Sequence, residues 1–373
     1  MTRGLRLGLL SGALIWASVA TGAIPATAGD LRQPACRGDP ATIVGSSADD
    51  TLIGTAGPDV IVGGGGADEI NGGAGDDLIC RGPGPDLLYG DAGDDRLFGG
   101  DDNDWFEDTA GANHLDGGAG ADHFASGPGD DTIVGGPGED TAGYVRLLDP
   151  SGWSSHCNAI TANLSEGTGG GDGFGLDTLV EVEDLASGGG NDVLVGDAGP
   201  NTFYTGLPCY GARHPVESVT GGDGSDRISF AHDQFGGSNA PGPVRVDLAR
   251  QLAWLTTQST LPTVVITLDS IENATGTSDA DILLGDAGPN VLISGPWSAF
   301  GVDVIRGRGG DDRLLGFRGA QRLYGGGGAD DLSGGGSADR LDGGPGRNHN
   351  DGGLGIDTCR RPTSEAGAID CER

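Results

Sequence analysis

GTAGPDVIV (54–62), GGGGADEIN (63–71) and GGAGDDLIC (72–80) are three consecutive nonapeptides, and they belong to a run of eleven that fills residues 45–143 without a gap. Column six of the unit is Asp in ten of the eleven: Asp50, Asp59, Asp68, Asp77, Asp86, Asp95, Asp104, Asp122, Asp131 and Asp140, with Asn113 the exception. Column eight is large and apolar in ten, from Leu52 and Ile61 to Ile133, and column four is Gly in nine. Compositional bias does not keep three residue types in three fixed columns. The chain is a structural repeat.

The period returns in pieces further on. Residues 187–204 carry two units, with Asp192 and Asn201 in column six, and 221–229 carries one, centred on Asp226. Two more follow at 276–293, with Asp281 and Asn290, and Asp303 centres an irregular one. A clean run of six spans 307–360, with Asp312, Gln321, Asp330, Asp339, Asn348 and Asp357 in column six. Two longer segments, 144–186 and 230–275, interrupt the count and resemble each other. Each starts on an aromatic (Tyr144, Phe230) and carries a strand-like stretch, ITANL at 160–164 or VRVDL at 244–248. Each returns to the repeat through similar text, VEVEDLASGGGNDVLVGDAGPN at 180–201 and LDSIENATGTSDADILLGDAGPN at 268–290. Glu183 and Glu272 stand nine residues before Asp192 and Asp281, so each reads as column six of a degenerate unit. The middle of the chain is therefore a duplicated module.

The division expected is a leader at 1–28, an N-terminal cap at 29–44 and a first repeat block at 45–143. An insertion at 144–186, repeat units with a loop at 187–229 and a second insertion at 230–275 follow. The last block is 276–360, with a disulfide-bracketed cap at 361–373. The leader has Arg3 and Arg6, an apolar stretch from Leu7 to Ala20 and an Ala26-Thr27-Ala28 cleavage site, and it implies export. No other apolar run is long enough to span a bilayer.

Of the 373 residues 76 are Gly and 5% aromatic, and the net charge is −34. Few large apolar side chains are set against ordering entropy and self-repulsion. That composition alone is one of a disordered acidic chain. Disorder, however, does not hold Asp and Leu in register, so something must neutralise the carboxylates. The acidity makes nucleic acid and anionic membrane surfaces poor partners.

The nonapeptide has a physical reading. Glycine in the first six positions allows sharp turns and positive φ. The last three extend as a short strand with column eight pointing inward. Two units make one coil with strands on opposite sides, and coils stack in parallel about 4.8 Å apart. The fold expected is all-β, a parallel β-roll or β-solenoid. Stacking sets Asp50 against Asp68, Asp59 against Asp77, and so on. Carboxylates at that spacing repel unless a cation lies between them, and carboxylates with turn carbonyls are hard ligands that select calcium over transition metals.

This repeat resembles the RTX, or hemolysin-type, calcium-binding nonapeptide, and the resemblance covers most of residues 45–360. It implies a calcium-loaded parallel β-roll in a secreted bacterial protein. The metal ligands implied are the column-six aspartates named above: ten in the first block, then Asp192, Asp226, Asp281, Asp303, Asp312, Asp330, Asp339 and Asp357. Toxin activity does not carry over. The chain has no Lys for the activating acylation, no apolar pore-forming region and no HExxH motif of the family's metalloproteases. Its Sec-type leader also departs from the family's usual route of export.

Both members of a stacked pair are Asp at 50/68, 59/77, 68/86, 77/95, 86/104, 104/122 and 122/140, and again at 312/330 and 339/357, which gives nine strong sites. Sites facing Asn113, Gln321 or Asn348 are expected to be weaker or empty. Of six Cys, Cys36 is expected to bridge Cys80, Cys359 to bridge Cys371, and Cys157 and Cys209 are left over and expected to pair. Spacing leaves other pairings open, Cys36 with Cys157 or Cys209 among them. His114 and His123, nine apart in column seven, should lie on opposite sheets and not meet. Arg37-Gly38-Asp39 reads as an accidental tripeptide in a chain so rich in Gly and Asp. Trp153, Trp254 and Trp297 read as locally packed, with a sugar- or protein-binding face as the other reading. The function expected is a secreted, non-enzymatic calcium-binding roll. The alternatives are an adhesin or matrix protein that binds a protein or glycan partner through the insertions, and an extracellular enzyme using the roll as scaffold.

Overall fold

The computed structural model describes residues 34–108, 110–144, 159–171, 173–205, 216–231, 242–255, 264–295, 301–360 and 368–371. The leader, Cys157, Cys209, Trp153, Trp297, His156, His214 and His232 lie outside them.

Each clean unit gives a strand of about three residues from columns seven to nine, because only there does the sequence leave glycine for apolar and β-favouring residues. Thr51–Ile53, Val60–Val62 and Glu69–Asn71 are typical. Successive strands alternate between two sheets, and each pairs in parallel with the strand of the next coil. Leu52 lies beside Ile70, and Ile61 beside Ile79, a register of 18 residues set by two nines. Among the described residues one sheet has fifteen strands, from Thr51–Ile53 to Ala368–Ile369. The architecture is the expected all-β roll, and the described residues contain no α-helix, only one 3₁₀ turn at Leu248–Arg250.

Among the described residues the second sheet has nineteen strands, four more than the first. The surplus comes from the duplicated modules. At the first, the pairing order is Thr132–Val134, Gly175–Val180, Thr168–Gly171, Thr161–Asn163, Val193–Val195, so two antiparallel junctions are intercalated into a parallel sheet. The second repeats this order with Val216–Thr220, Val264–Asp269, Leu252–Leu255, Val244–Asp247 and Ile282–Leu284. Across the core the other sheet proceeds directly, Thr141–Tyr144 to Asp184–Ser187 to Thr202–Tyr204. The added thickness on one side is filled by bulky groups: Tyr144, Phe174, Ile160 and Val182 at the first module, Phe230, Val244, Leu248 and Ile271 at the second, all buried. The Tyr144 and Phe174 rings meet edge to face at 5.6 Å.

Column eight forms the remaining core. Ile61, Ile70, Ile79, Leu88, Leu97, Phe106, Leu115, Phe124 and Ile133 are fully buried, with Phe106 stacked on Phe124 at 4.7 Å. At about 25 cal/mol per Å² each such side chain contributes about 1.5–3 kcal/mol, one per nine residues, so the apolar core alone is thin. The N-terminal hairpin, Ala35–Cys36 against Asp39–Pro40, folds back outside the second sheet. There Cys36 bridges Cys80 and packs on Leu78 and Phe98. Cys359 bridges Cys371 at the other end. Both pairings match the expectation. His114 and His123 stand on different sheets, beside Arg96 and Trp105 respectively, and do not meet.

Candidate metal centres

Consider one turn, Gly117–Asp122. The Asp122 side chain uses Oδ1 to accept the backbone N–H of Asp104, one coil earlier, at 2.7 Å. The same bond joins Asp59 N–H to Asp77 (2.8 Å), Asp77 to Asp95 (2.8 Å), Asp122 to Asp140 (2.7 Å) and Asp339 to Asp357 (2.7 Å). Column six thus staples coil to coil, and that orientation turns Oδ2 inward over column one. A methyl carbon placed on Gly117 would stand 2.3 Å from Asp122 Oδ2 and 2.9 Å from the Gly135 carbonyl oxygen. On Gly99 it would stand 2.4 Å from both Asp104 Oδ2 and the Gly117 carbonyl oxygen. Column-one glycine therefore keeps open a cradle lined by a carboxylate oxygen and a carbonyl of the next coil. Column two differs, because Gly64 has φ +113° and its missing side chain admits the Ser46 carbonyl.

The inward oxygens are buried and unpaired. Asp68, Asp77, Asp95, Asp104, Asp122, Asp140, Asp192, Asp226, Asp312, Asp330 and Asp339 each hold an Oδ2 atom with no hydrogen-bond partner. Such a group is costly unless neutralised. Burial pushes the Asp95 and Asp122 carboxyls up to about 6 and those of Asp140, Asp312 and Asp339 to about 7. Neighbouring stacked aspartates add to the rise at Asp140, Asp312 and Asp339. Among the described residues no three His, Cys, Asp or Glu side chains converge on one point. The donors are one or two carboxylates plus main-chain carbonyls, a set that fits calcium and not a nitrogen- or sulfur-seeking metal.

Several turns are closed by other means. At Asp50, Asp59 and Asp281 the inward oxygen accepts the N–H of Ser46, Thr55 or Thr277 at 2.6, 2.7 and 2.6 Å. Asn201 and Asn290 plug their turns as neutral groups. Each amide oxygen accepts an N–H, from Asp197 or Asp286, and each amide nitrogen donates to the carbonyl of Glu183 or Glu272 at 2.7 Å. Asp131 is bridged to Asp177 by the Ser126 hydroxyl at 2.7 and 3.2 Å. Asp303 accepts the Asp281 N–H at 2.8 Å and so takes its place in the stack. Asn113 does not simply lose a charge. Asp108, in column one of the same unit, hydrogen-bonds the Asn113 amide, and its other oxygen lies 3.1 Å from a methyl position on Gly90, beside Asp95 Oδ2.

Glu183 and Glu272 stand in column six, accepting the N–H groups of Asp140 and Asp226 at 2.9 Å each. Two acids were missed by sequence reasoning. Asp177 accepts the Asp131 N–H at 2.9 Å, and Glu217 is a fully buried acid beside Asp192 that burial holds well above its ordinary range. The surviving signal was an acid two residues before an inward apolar residue, Leu179 or Val219, with Gly173 and Gly175 at positive φ ahead of Asp177 and no glycine in the five residues ahead of Glu217. Asp86 pairs with the Arg81 guanidinium in place of an open cradle.

No curated protein matches the chain. The family model of the RTX calcium-binding nonapeptide repeat matches residues 44–79, 82–106, 107–142, 186–207, 275–296, 299–331 and 324–359, more than half of the chain. All the unpaired inward Asp carboxylates named above except Asp226 lie in the matched segments, and the intercalated hairpins fall between them. The chain belongs to the family of RTX calcium-binding repeat proteins, and its fold is their parallel β-roll.

Proposed function

We propose that this is an exported, non-enzymatic protein whose roll is completed by calcium ions seated in the column-one cradles. The observation that carries the reading is the row of buried Oδ2 atoms without donors, each except that of Asp192 above a column-one glycine whose missing side chain leaves room for an ion. Bound calcium would supply positive charge between stacked turns. The chain's own part is to hold the carboxylates one coil apart through the N–H to Oδ1 staples and to present carbonyls from glycine turns. Since the core is thin, binding energy becomes folding energy. The ligands proposed are the column-six aspartates with open cradles, together with Glu183 and Glu272. Export is supported by the Arg3–Ala28 leader pattern and by the two disulfides, which persist in oxidising compartments.

Calcium titration of the mature chain, followed by circular dichroism and native mass spectrometry, tests this. A cooperative gain of β signal with several ions bound supports it. A chelated protein with full β structure and an unchanged melting temperature refutes it, as would only one or two ions at saturation.

A further inference from the structure

Column one is where an ion's cradle needs glycine, and one unit of the first block breaks the rule with the largest basic side chain available. Arg81 opens the unit RGPGPDLLY. Its side chain is wholly buried, and its guanidinium forms ion pairs with Asp86 and, at 3.0 Å from Nη1, with Asp104 Oδ1. Asp68 lies within its field. The geometry of the next coils shows what Arg81 displaces. At Gly99 and Gly117 the first atom of any side chain would already meet the inward carboxylate and the carbonyl of the coil above. Arg81 grows from the equivalent position. Its stem fills the cradle and its charge arrives between the carboxylates of successive coils.

We propose that Arg81 is a built-in cation that takes the place of one calcium ion, so that the Asp86/Asp104 level is joined without metal. A guanidinium stays protonated at any physiological pH, and its planar fork suits two carboxylates at once. The residue before it, Cys80, carries the bridge to Cys36. A covalent tie and a fixed charge thus converge on the same coil. The strands Leu78–Cys80, Leu87–Tyr89 and Arg96–Asp101 form a calcium-independent segment near the N-terminus, on which the metal-requiring coils can add in order. This rests on the reading that the glycine cradles take calcium, and it makes the pair 86/104, counted from sequence as a strong site, metal-free.

The test uses the full mature chain with disulfides intact, in three forms: wild type, Arg81→Gly and Arg81→Met. Native mass spectrometry at saturating calcium counts ions, and hydrogen exchange in chelator reads each strand. Arg81→Gly, which restores the family's glycine, should bind one ion more than wild type and lose protection at Leu78–Cys80 in chelator. Arg81→Met, with neither charge nor room, should gain no ion and lose that protection with or without calcium. In chelated wild type, exchange at Leu78–Cys80 should be on the order of a hundredfold slower than at Arg313–Leu315 of the last block, equivalent to about 3 kcal/mol. An Arg81→Gly protein that folds in calcium with the wild-type ion count overturns the proposal. If that variant does not fold, equal exchange at the two strands in chelated wild type overturns it. A wild type that binds no calcium would instead sink the reading of the function.

Discussion

Gly117→Ala is the most direct probe of the cradle. Gly117 has no positive φ to forfeit, so the added methyl acts through space alone. That methyl would lie 2.3 Å from Asp122 Oδ2 and 2.9 Å from the Gly135 carbonyl. Forcing these atoms apart costs about 1–3 kcal/mol whatever the metal concentration. The second cost depends on calcium. A site with Kd on the order of 10⁻⁴–10⁻³ M contributes RT ln(1 + [Ca]/Kd), about 1.4–2.7 kcal/mol at about 10 mM free calcium. Losing one site therefore flattens the dependence of stability on calcium by up to about 1.4 kcal/mol per tenfold change. Gly57→Ala is the control, because its methyl would meet nothing within 4 Å and should shift stability by less than about 1 kcal/mol. Urea unfolding followed by circular dichroism at about 1 and 10 mM calcium separates the two costs through the linkage relation. Steric damage shifts both curves equally, whereas a lost site changes their separation. If Gly117→Ala keeps the wild-type calcium dependence, the space above column-one glycine is not where the ion sits.

Three further outcomes are expected. The stacked carboxyls of Asp95, Asp122 and Asp140 sit at about 6, 6 and 7 in the fold against 3.8 when free, so the folded state binds protons that the unfolded chain releases. The metal-free roll must then gain stability as pH falls from about 7 towards 4 and lose it as pH rises. Chelated protein should show more β signal at pH 5 than at pH 8, and an equal or larger signal at pH 8 contradicts this. Asp77→Ala orphans the Asp59 N–H and removes the inward carboxylate of the Gly72 cradle inside the stack, and it should lower the melting temperature in calcium more than Asp357→Ala at the end of the stack. Equal shifts would argue against it. Replacing Cys36 and Cys80 by Ser opens a link with a sequence separation of 44 and should cost about 4 kcal/mol in the chain-entropy model, read from denaturant midpoints in calcium.

The roll itself was legible from the first three units quoted. A strict period of nine with Asp in column six and an apolar residue in column eight admits one stacking register, and Leu52 beside Ile70 is that register. The staple from Asp59 N–H to Asp77 repeats wherever the period holds, so identical local geometry reproduces it. Glu183 and Glu272 were readable for the same reason, because the count of nine still reached them. Asp177 and Glu217 were not, since the longer stretches of sequence before them put both out of phase with the count of nine; Gly173 and Gly175 mark the turn ahead of Asp177, but no glycine stands in the five residues before Glu217. The occupants of column one also needed the fold. Arg81, Asp108 and Ser126 are visible in the sequence only as departures from glycine. Where they point depends on groups brought beside them from other coils, Asp104 at Arg81, Asp95 at Asp108 and Asp177 at Ser126. Periodicity fixes what each nonapeptide does alone. Whether a turn is closed by an ion, a guanidinium, an amide or a hydroxyl is decided between coils, where burial removes water and leaves each carboxylate only the partner that stacking brings to it.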